Sequence, residues 1–325
     1  MESGCCGCHL CIINAVHRVT ALNGNTTMEK PIITSYGGVN ANVGDLLVNR
    51  LLPNRYSQAV GPFVFLDHLY PSAHPPKTPQ APTGAFAHPH RGIATFTYLF
   101  SGSLEHYDSH GHHGIVDAGG AQWMKAGNGV IHDENPSPRF QQEGGVLHAL
   151  QFWINLPAKN KAEAPDYLAL QAGDIPEVPL PGGAGVLRVI IGSYGEAASP
   201  VQTFSPQLLY HLRLQPGAAF TLHPTAGWEY AAFVPGEAVV VGDQTFAGSE
   251  LLLVGSDAVP VTFTNPGGAA TDVILFGGEP YREPIVAQGP FVMNSQQEIA
   301  TAYRDFFNGR YGKIQYKPLD QPQTV

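Results

Sequence analysis

From Gly44 to Gly278 the chain is cut by glycine turns into short runs rich in β-branched and aromatic residues. That punctuation predicts an all-β fold. A first series holds Ala94–Phe100, Leu104–Asp108, Gly114–Asp117, Ala121–Lys125 and Val146–Ile154. Turns such as Ser101-Gly102-Ser103, Ala118-Gly119-Gly120 and Gly127-Asn128-Gly129 separate them. A second series holds Gly185–Tyr194, Gln207–Leu214, Ala218–His223, Glu229–Pro235, Ala238–Val241, Glu250–Gly255, Val259–Asn265 and Asp272–Gly278. Strands of this length and spacing build a sandwich or barrel, here one per series. Lys159–Gly183, rich in Pro, Ala and acidic residues, reads as the linker. Pro62–His68 reads as a strand with apolar residues on both faces, and Tyr70–Gly84, with five prolines, as a loop over a barrel mouth. One helix is expected, Ser295–Asn308, where Ile299, Tyr303, Phe306 and Phe307 form an apolar stripe and Gly309 is a natural stop.

Composition narrows the function classes. With 325 residues, 43% apolar and 13% charged, the chain can bury two cores and is not disordered. A net charge of −9 argues against direct nucleic-acid binding. No apolar run approaches the ~20 residues that cross a bilayer, and the start carries no secretory pattern, so a cytoplasmic protein without membrane contact is expected. All four cysteines, Cys5, Cys6, Cys8 and Cys11, crowd the start. They read either as a thiolate site or as a leader preceding a true start at Met28; ligands at adjacent positions fit one tetrahedral metal poorly.

The chemistry lies in two short motifs, His88-Pro89-His90 and His132-Asp133-Glu134. On a strand, residues i and i+2 point to one face. Two such strands meeting in a barrel would aim three imidazoles and a carboxylate at a common point. That donor set favours Fe(II) or a similar divalent first-row metal and, at six-coordination, leaves positions for substrate and O₂. Pro89 cannot donate to a ladder, which suits a barrel rim. His110, His112 and His113 read as surface imidazoles of a hairpin tip. His106 is a candidate neighbour of the ligands. His68 either makes an orienting hydrogen bond or ends a strand, and Arg91 pairs either near the metal or at the surface. Phe86, Phe96, Trp123 and Met124 are candidates for an apolar pocket wall or for ordinary core. The second series has only His211 and His223, so no comparable metal set.

Four stretches carry a resemblance: Val60–His68, Ala87–Gly92, Glu105–Ser109 and Gln122–His132. In that order they resemble the pirin family of two-domain cupins. The resemblance implies two tandem cupin (jelly-roll-like) β-barrels with one C-terminal helix. The expected divisions are a leader and lead-in strand over 1–43, a metal-binding barrel over 44–160, a metal-free barrel over 184–280, and a helix and tail over 281–325. It also implies a metal, usually iron, on His88, His90, His132 and Glu134. The activity implied is that of a quercetin 2,3-dioxygenase acting on a small aromatic substrate with O₂, Glu134 serving as base. The alternative is an iron- or redox-sensing regulator that works through protein partners. Ala94 stands where many relatives carry Glu, so the carboxylate is expected from Glu134 alone.

Overall fold

The computed structural model describes residues 32–44, 46–255 and 259–317. The cysteine cluster and Met28 lie outside the described residues. The chain forms two tandem cupin-type β-barrels with the same layout, a seven-stranded sheet facing a four-stranded one.

Two strands lead in: β1 (Ile32–Tyr36) and β2 (Val39–Val43). Then come β3 (Leu46–Leu52), β4 (Phe63–His74), β5 (His88–His90), β6 (Ile93–Ser101), β7 (Ser103–Asp108), β8 (His113–Asp117), β9 (Ala121–Lys125) and β10 (Val130–Pro136). Helix α1 (Pro138–Glu143), β11 (Gly145–Asn155) and β12 (Asp166–Leu170) complete the first barrel. Its large sheet runs β12-β9-β6-β11-β4-β3-β2 and its small sheet β5-β10-β7-β8. Leu99 and Ala149 of the large sheet meet Leu104 and Val116 of the small one, with Phe140 of α1, in an apolar plug. That plug closes the barrel at one end.

In the second barrel, β13 (Glu177–Leu180) and β14 (Gly185–Ile191) join Gln207–Leu214, Thr271–Gly278, Glu229–Val234, Glu250–Val254 and, at the far edge, β1. Its small sheet comprises Ala219–Leu222, Val261–Thr264, Val239–Val241 and Gln244–Phe246. The two leading strands therefore part company, β1 to the second barrel and β2 to the first.

The outer faces of the two large sheets pack on each other. Phe96, Trp123, Leu150 and Phe152 meet Ile190, Leu209, Phe233 and Phe276 in one buried cluster. This explains β4: Phe63 and Leu66 fill the seam while Val64 and Phe65 face the barrel side, so both faces are apolar. It also decides between pocket wall and core: Phe96 and Trp123 are core of the seam, Phe86 is exposed, and Met124 packs on the barrel side with Val64, Ile93 and Val130.

Three further readings change. Lys159–Gly183 is not an unstructured linker, because β12 and β13 add an edge strand to each barrel. Pro179 in β13 is tolerated there because an edge strand has one side free of ladder bonds. The proline-rich segment begins later than expected, since β4 pairs with β11 as far as His74. Beyond it, the backbone N–H groups of Lys77 and Gln80 bond Gln141 of α1, near the plugged end rather than over the mouth.

Helix α1 went unforeseen; Ser137 caps it and Pro138 opens it. The late helix forms as expected, α2 (Gln296–Phe307), with Ser295 as N-cap. Ile299 and Ala302 are buried, but Phe307 is 78% exposed, because eight residues of α-helix leave it about 80° off the axis of the stripe. No helix among the described residues is long and apolar enough to cross a membrane.

After the second barrel the chain returns to the first. The hairpin Val286–Gln288/Phe291–Met293 and α2 pack against Ile131 of β10. Arg91 Nη1 donates to Asp305 Oδ2 at 2.8 Å, which settles its partner as a helix carboxylate. Lys161 Nζ ties Asn155 Oδ1 and Val292 O together, each at 2.7 Å. Gly92 permits the approach: its φ is +82°, and a Cβ there would lie 2.1 Å from Val292 O.

Candidate metal centre

Strands β5 and β10 run antiparallel with His132 opposite His88 and Val130 opposite His90. On the other side of β10, His132 lies opposite Asp108 and Glu134 opposite His106 of β7. Directly opposed residues share a face, so both i,i+2 pairs and His106 point the same way, into the barrel. Sheet periodicity alone delivers this convergence.

His88, His90 and His132 each bring a ring nitrogen within 4.8 Å of the others. His88 Nε2 and His132 Nε2 stand 3.0 Å apart. Nδ1 of His88 contacts Phe86 O at 2.8 Å and Nδ1 of His90 contacts Pro290 O at 3.0 Å. A carbonyl only accepts, so both Nδ1 atoms carry the proton and both Nε2 atoms present lone pairs. His132, with one N–H when neutral, can satisfy only one of those, and its Nδ1 is buried without a partner. Such a trio lacks the protons to bond itself. Two nitrogens about 2.1 Å from one cation and at right angles about it would be about 3.0 Å apart, so the spacing fits a shared metal. Burial lowers all three imidazoles, His90 to about 3 with the neighbouring His88 adding to it, so they are neutral at pH 7 as ligands must be.

Glu134 stands slightly apart. It forms a second trio with His106 and His132, again within 4.8 Å, rather than joining His88 and His90 in one set. Thr97 Oγ1 donates to Glu134 Oε1 at 3.2 Å, and Gln122 Nε2 donates to the same oxygen. Tyr167 of β12 donates to Gln122 Oε1 at 3.0 Å, which fixes the amide so that its NH₂ faces Glu134. Burial pushes the Glu134 carboxyl up to about 7, against the pull of the Thr97 bond. Oε2 has no protein partner among the described residues. His106 stacks on Tyr167 at 4.2 Å and both its ring nitrogens are buried without hydrogen bonds. Its Nε2 is 3.5 Å from Asp108 Oδ2, too far for more than a weak ion pair.

Other expectations resolve around this centre. Ala94 faces the seam cluster, not the histidines, so an acidic group there could not reach them. His110 is exposed, but His112 Nδ1 bonds Asp108 Oδ2 at 2.7 Å and His113 Nε2 bonds Glu105 Oε1 at 2.8 Å. These two are therefore partnered, not bare surface imidazoles. His68 makes the orienting bond, Nε2 to His148 Nε2 at 2.8 Å, at the seam. Thr97, Gln122, Tyr167 and the Pro290 carbonyl were not anticipated. The first three follow from strand register once it is known; Pro290 leaves no sequence signal.

Known proteins share this fold. Residues 46–154 match the family described as Pirin, and residues 209–312 match its Pirin C-terminal cupin domain. A Pseudomonas aeruginosa protein provisionally named a quercetin 2,3-dioxygenase is 38% identical over 287 residues, spanning 87% of this chain and 98% of its own. The crystal structure of a quercetin 2,3-dioxygenase from Acinetobacter baumannii superposes with a TM-score of 0.81 at 35% identity, covering 88% of this chain and 99% of that one. The fold is also that of a bacterial pirin from Escherichia coli in complex with nickel(II), with a TM-score of 0.57 at 19% identity over 76% of this chain and 100% of that one. With both barrels matched in order and the fold shared along almost its whole length, the chain belongs to the pirin family.

Proposed function

We propose that this pirin-family protein is a metal-dependent dioxygenase acting on flavonol-like aromatic substrates. The observation that carries it is the convergence of His88, His90 and His132, with Nδ1 of His88 and of His90 committed to carbonyls so that their Nε2 lone pairs turn toward His132. These three, with Glu134 beside them, would hold Fe(II) or another divalent first-row metal. Such a metal supplies the redox chemistry that brings a phenol or enol to react with O₂.

The remaining work belongs to protein groups. Oε2 of Glu134, free of protein hydrogen bonds, takes the substrate hydroxyl proton, and a carboxyl near 7 is matched to that exchange at neutral pH. Gln122 and Thr97 hold Oε1 so that the proton-accepting oxygen keeps one direction. The apolar plug around Leu99, Leu104 and Phe140 denies water a second entry. Substrate selection would rest on the half-buried interior side chains near His90.

The test is aerobic loss of quercetin absorbance with iron-loaded protein against free-iron controls, beside metal analysis of the native chain and His132→Ala. Stoichiometric metal and protein-dependent loss of the flavonol are expected for the native chain, and metal loss for His132→Ala. Full metal in that variant would overturn the ligand set; a flavonol no faster lost than with free iron would overturn the substrate.

A further inference from the structure

Five strands of the first barrel place polar side chains in one row. Arg50 pairs with Asp67, Asp67 with Gln151, Gln151 with Thr97, and Thr97 with Gln122. Opposed residues share a face, and Thr97 and Gln122 bond Glu134, so the whole row lies inside the barrel. Arg50 grips Asp67 through Nε at 3.0 Å and Nη2 at 2.8 Å. Its Nη1 has no hydrogen-bond partner among the described residues.

The next level toward the histidines is aromatic. Phe65 and Trp153 are directly opposed and stack with centroids 4.3 Å apart and planes 17° apart. The Arg50 guanidinium lies 4.8 Å over the Phe65 ring, and the Trp153 indole meets the His90 ring edge-on at 5.0 Å. A continuous strip thus runs Arg50, Phe65, Trp153, His90. Although they point into the barrel, Arg50, Phe65, Trp153 and Gln151 are only half-buried, and the Arg50 side chain is 38% exposed against 4% for Asp67. Interior side chains that water still reaches line an opening.

We propose that this strip is the ligand-recognition wall and that Arg50 is its specificity-determining residue, selecting a planar aromatic ligand that carries an anionic oxygen group. The aromatic body lies along the half-buried edges of Phe65 and Trp153, where apolar area and edge contacts favour a flat ring. Its anionic end meets the free edge of the Arg50 guanidinium, which Asp67 holds in one plane. The far hydroxyl is thereby directed past His90 toward Glu134. This inference rests on the reading of the histidine trio as the reactive centre, but it concerns charge selection rather than turnover.

The test compares two matched probes, hydroxynaphthoate and its neutral hydroxynaphthamide, binding by calorimetry to protein loaded with redox-inert zinc. The native chain is expected to prefer the carboxylate by about tenfold to a hundredfold, the range of a hydrogen bond to a charged group. Arg50→Gln combined with Asp67→Asn leaves no orphan charge. It should abolish the preference, bringing carboxylate affinity down to the level of the amide in the same variant, since the charged contact is lost. Arg50→Lys alone should keep a reduced preference, and Trp153→Leu should weaken both probes together. Equal binding of the probes by the native chain, or an undiminished preference in the double variant, would overturn the proposal. Zinc content, measured on each sample, separates this outcome from failure of the metal reading: His132→Ala can lose its metal or keep it whichever way the Arg50 comparison falls.

Discussion

Both hydrogen bonds that reach Glu134 end on Oε1, so the two oxygens of one carboxylate are chemically distinct. Glu134→Gln, which cannot take a proton, should lower turnover by about 10²–10⁴-fold, measured as kcat on the iron-loaded protein. Thr97→Val removes one donor while keeping the shape. A donor favours the ionised form, so its loss raises the carboxyl further above about 7. The base works ionised, and activity falls as pH drops through its pKa. The acid limb of the kcat/KM profile should therefore move to higher pH, and an unmoved limb would exclude Glu134 as the base. At this scale the meeting of His88, His90 and His132 was legible because a period of two fixes which residues share a face, whereas Glu134 falls in a second trio with His106 and His132. The bonds that orient them were not. Pro290 bonds His90 across 200 positions through its carbonyl, an atom every residue has, and Gln122 looks in sequence like any glutamine on a strand.

At the scale of elements, strand identity followed from glycine turns and alternation, and most predicted strand limits fall within two residues of those observed. The elements missed have two causes. An edge strand such as β12 or β13 needs a partner on one side only, so weak β-formers suffice; α1, at six residues, is too short for a 3.6-residue period to show. Helix α2 was legible by its stripe but its destination was not. It packs under the histidine-bearing strands of the first barrel, with Arg91 held by Asp305 and Ile131 covered by its neighbours. Its N-cap is Ser295, whose Oγ accepts from the Glu298 N–H while the Glu298 carboxylate accepts from the Asn294 N–H. Ser295→Ala should cost about 1 kcal/mol in chemical denaturation.

At the scale of the whole molecule, two barrels share an apolar seam. Phe63, Phe152 and Phe276 form a triangle of edge-to-face rings 5.2–5.7 Å apart, two from the first barrel and one from the second. Phe276→Ala should cost about 3–5 kcal/mol and separate the unfolding of the two barrels in calorimetry. Two barrels were readable from two series of strands. Their contact was not, because residues facing a partner barrel and residues facing a barrel interior are equally apolar.

The rim of the seam is pH-sensitive. Burial lowers His68 to about 3 and His148 to about 4, from an ordinary 6.5. The unfolded chain therefore takes up protons first. Stability is full above about pH 6.5 and drains as pH falls toward 4. His68 alone should account for about 1–2 kcal/mol lost between pH 7 and 5. Denaturant titrations at the two pH values should show a shallower dependence in His68→Asn.

The return of the chain after the second barrel bears on how the protein is made. The carbonyl that orients His90 is Pro290, and the residue that bonds Asp133 between two candidate ligands is Tyr316, at 2.7 Å. A ribosome finishes the histidine motifs long before it reaches either. The nascent first barrel thus carries His90 without its orienting carbonyl, and Asp133 without its tyrosine partner, until the second barrel and the segment after it have been made. A chain cut between the two barrels would hold the candidate ligands without the Pro290 and Tyr316 contacts, so completion of the centre waits on the segment that follows the second barrel.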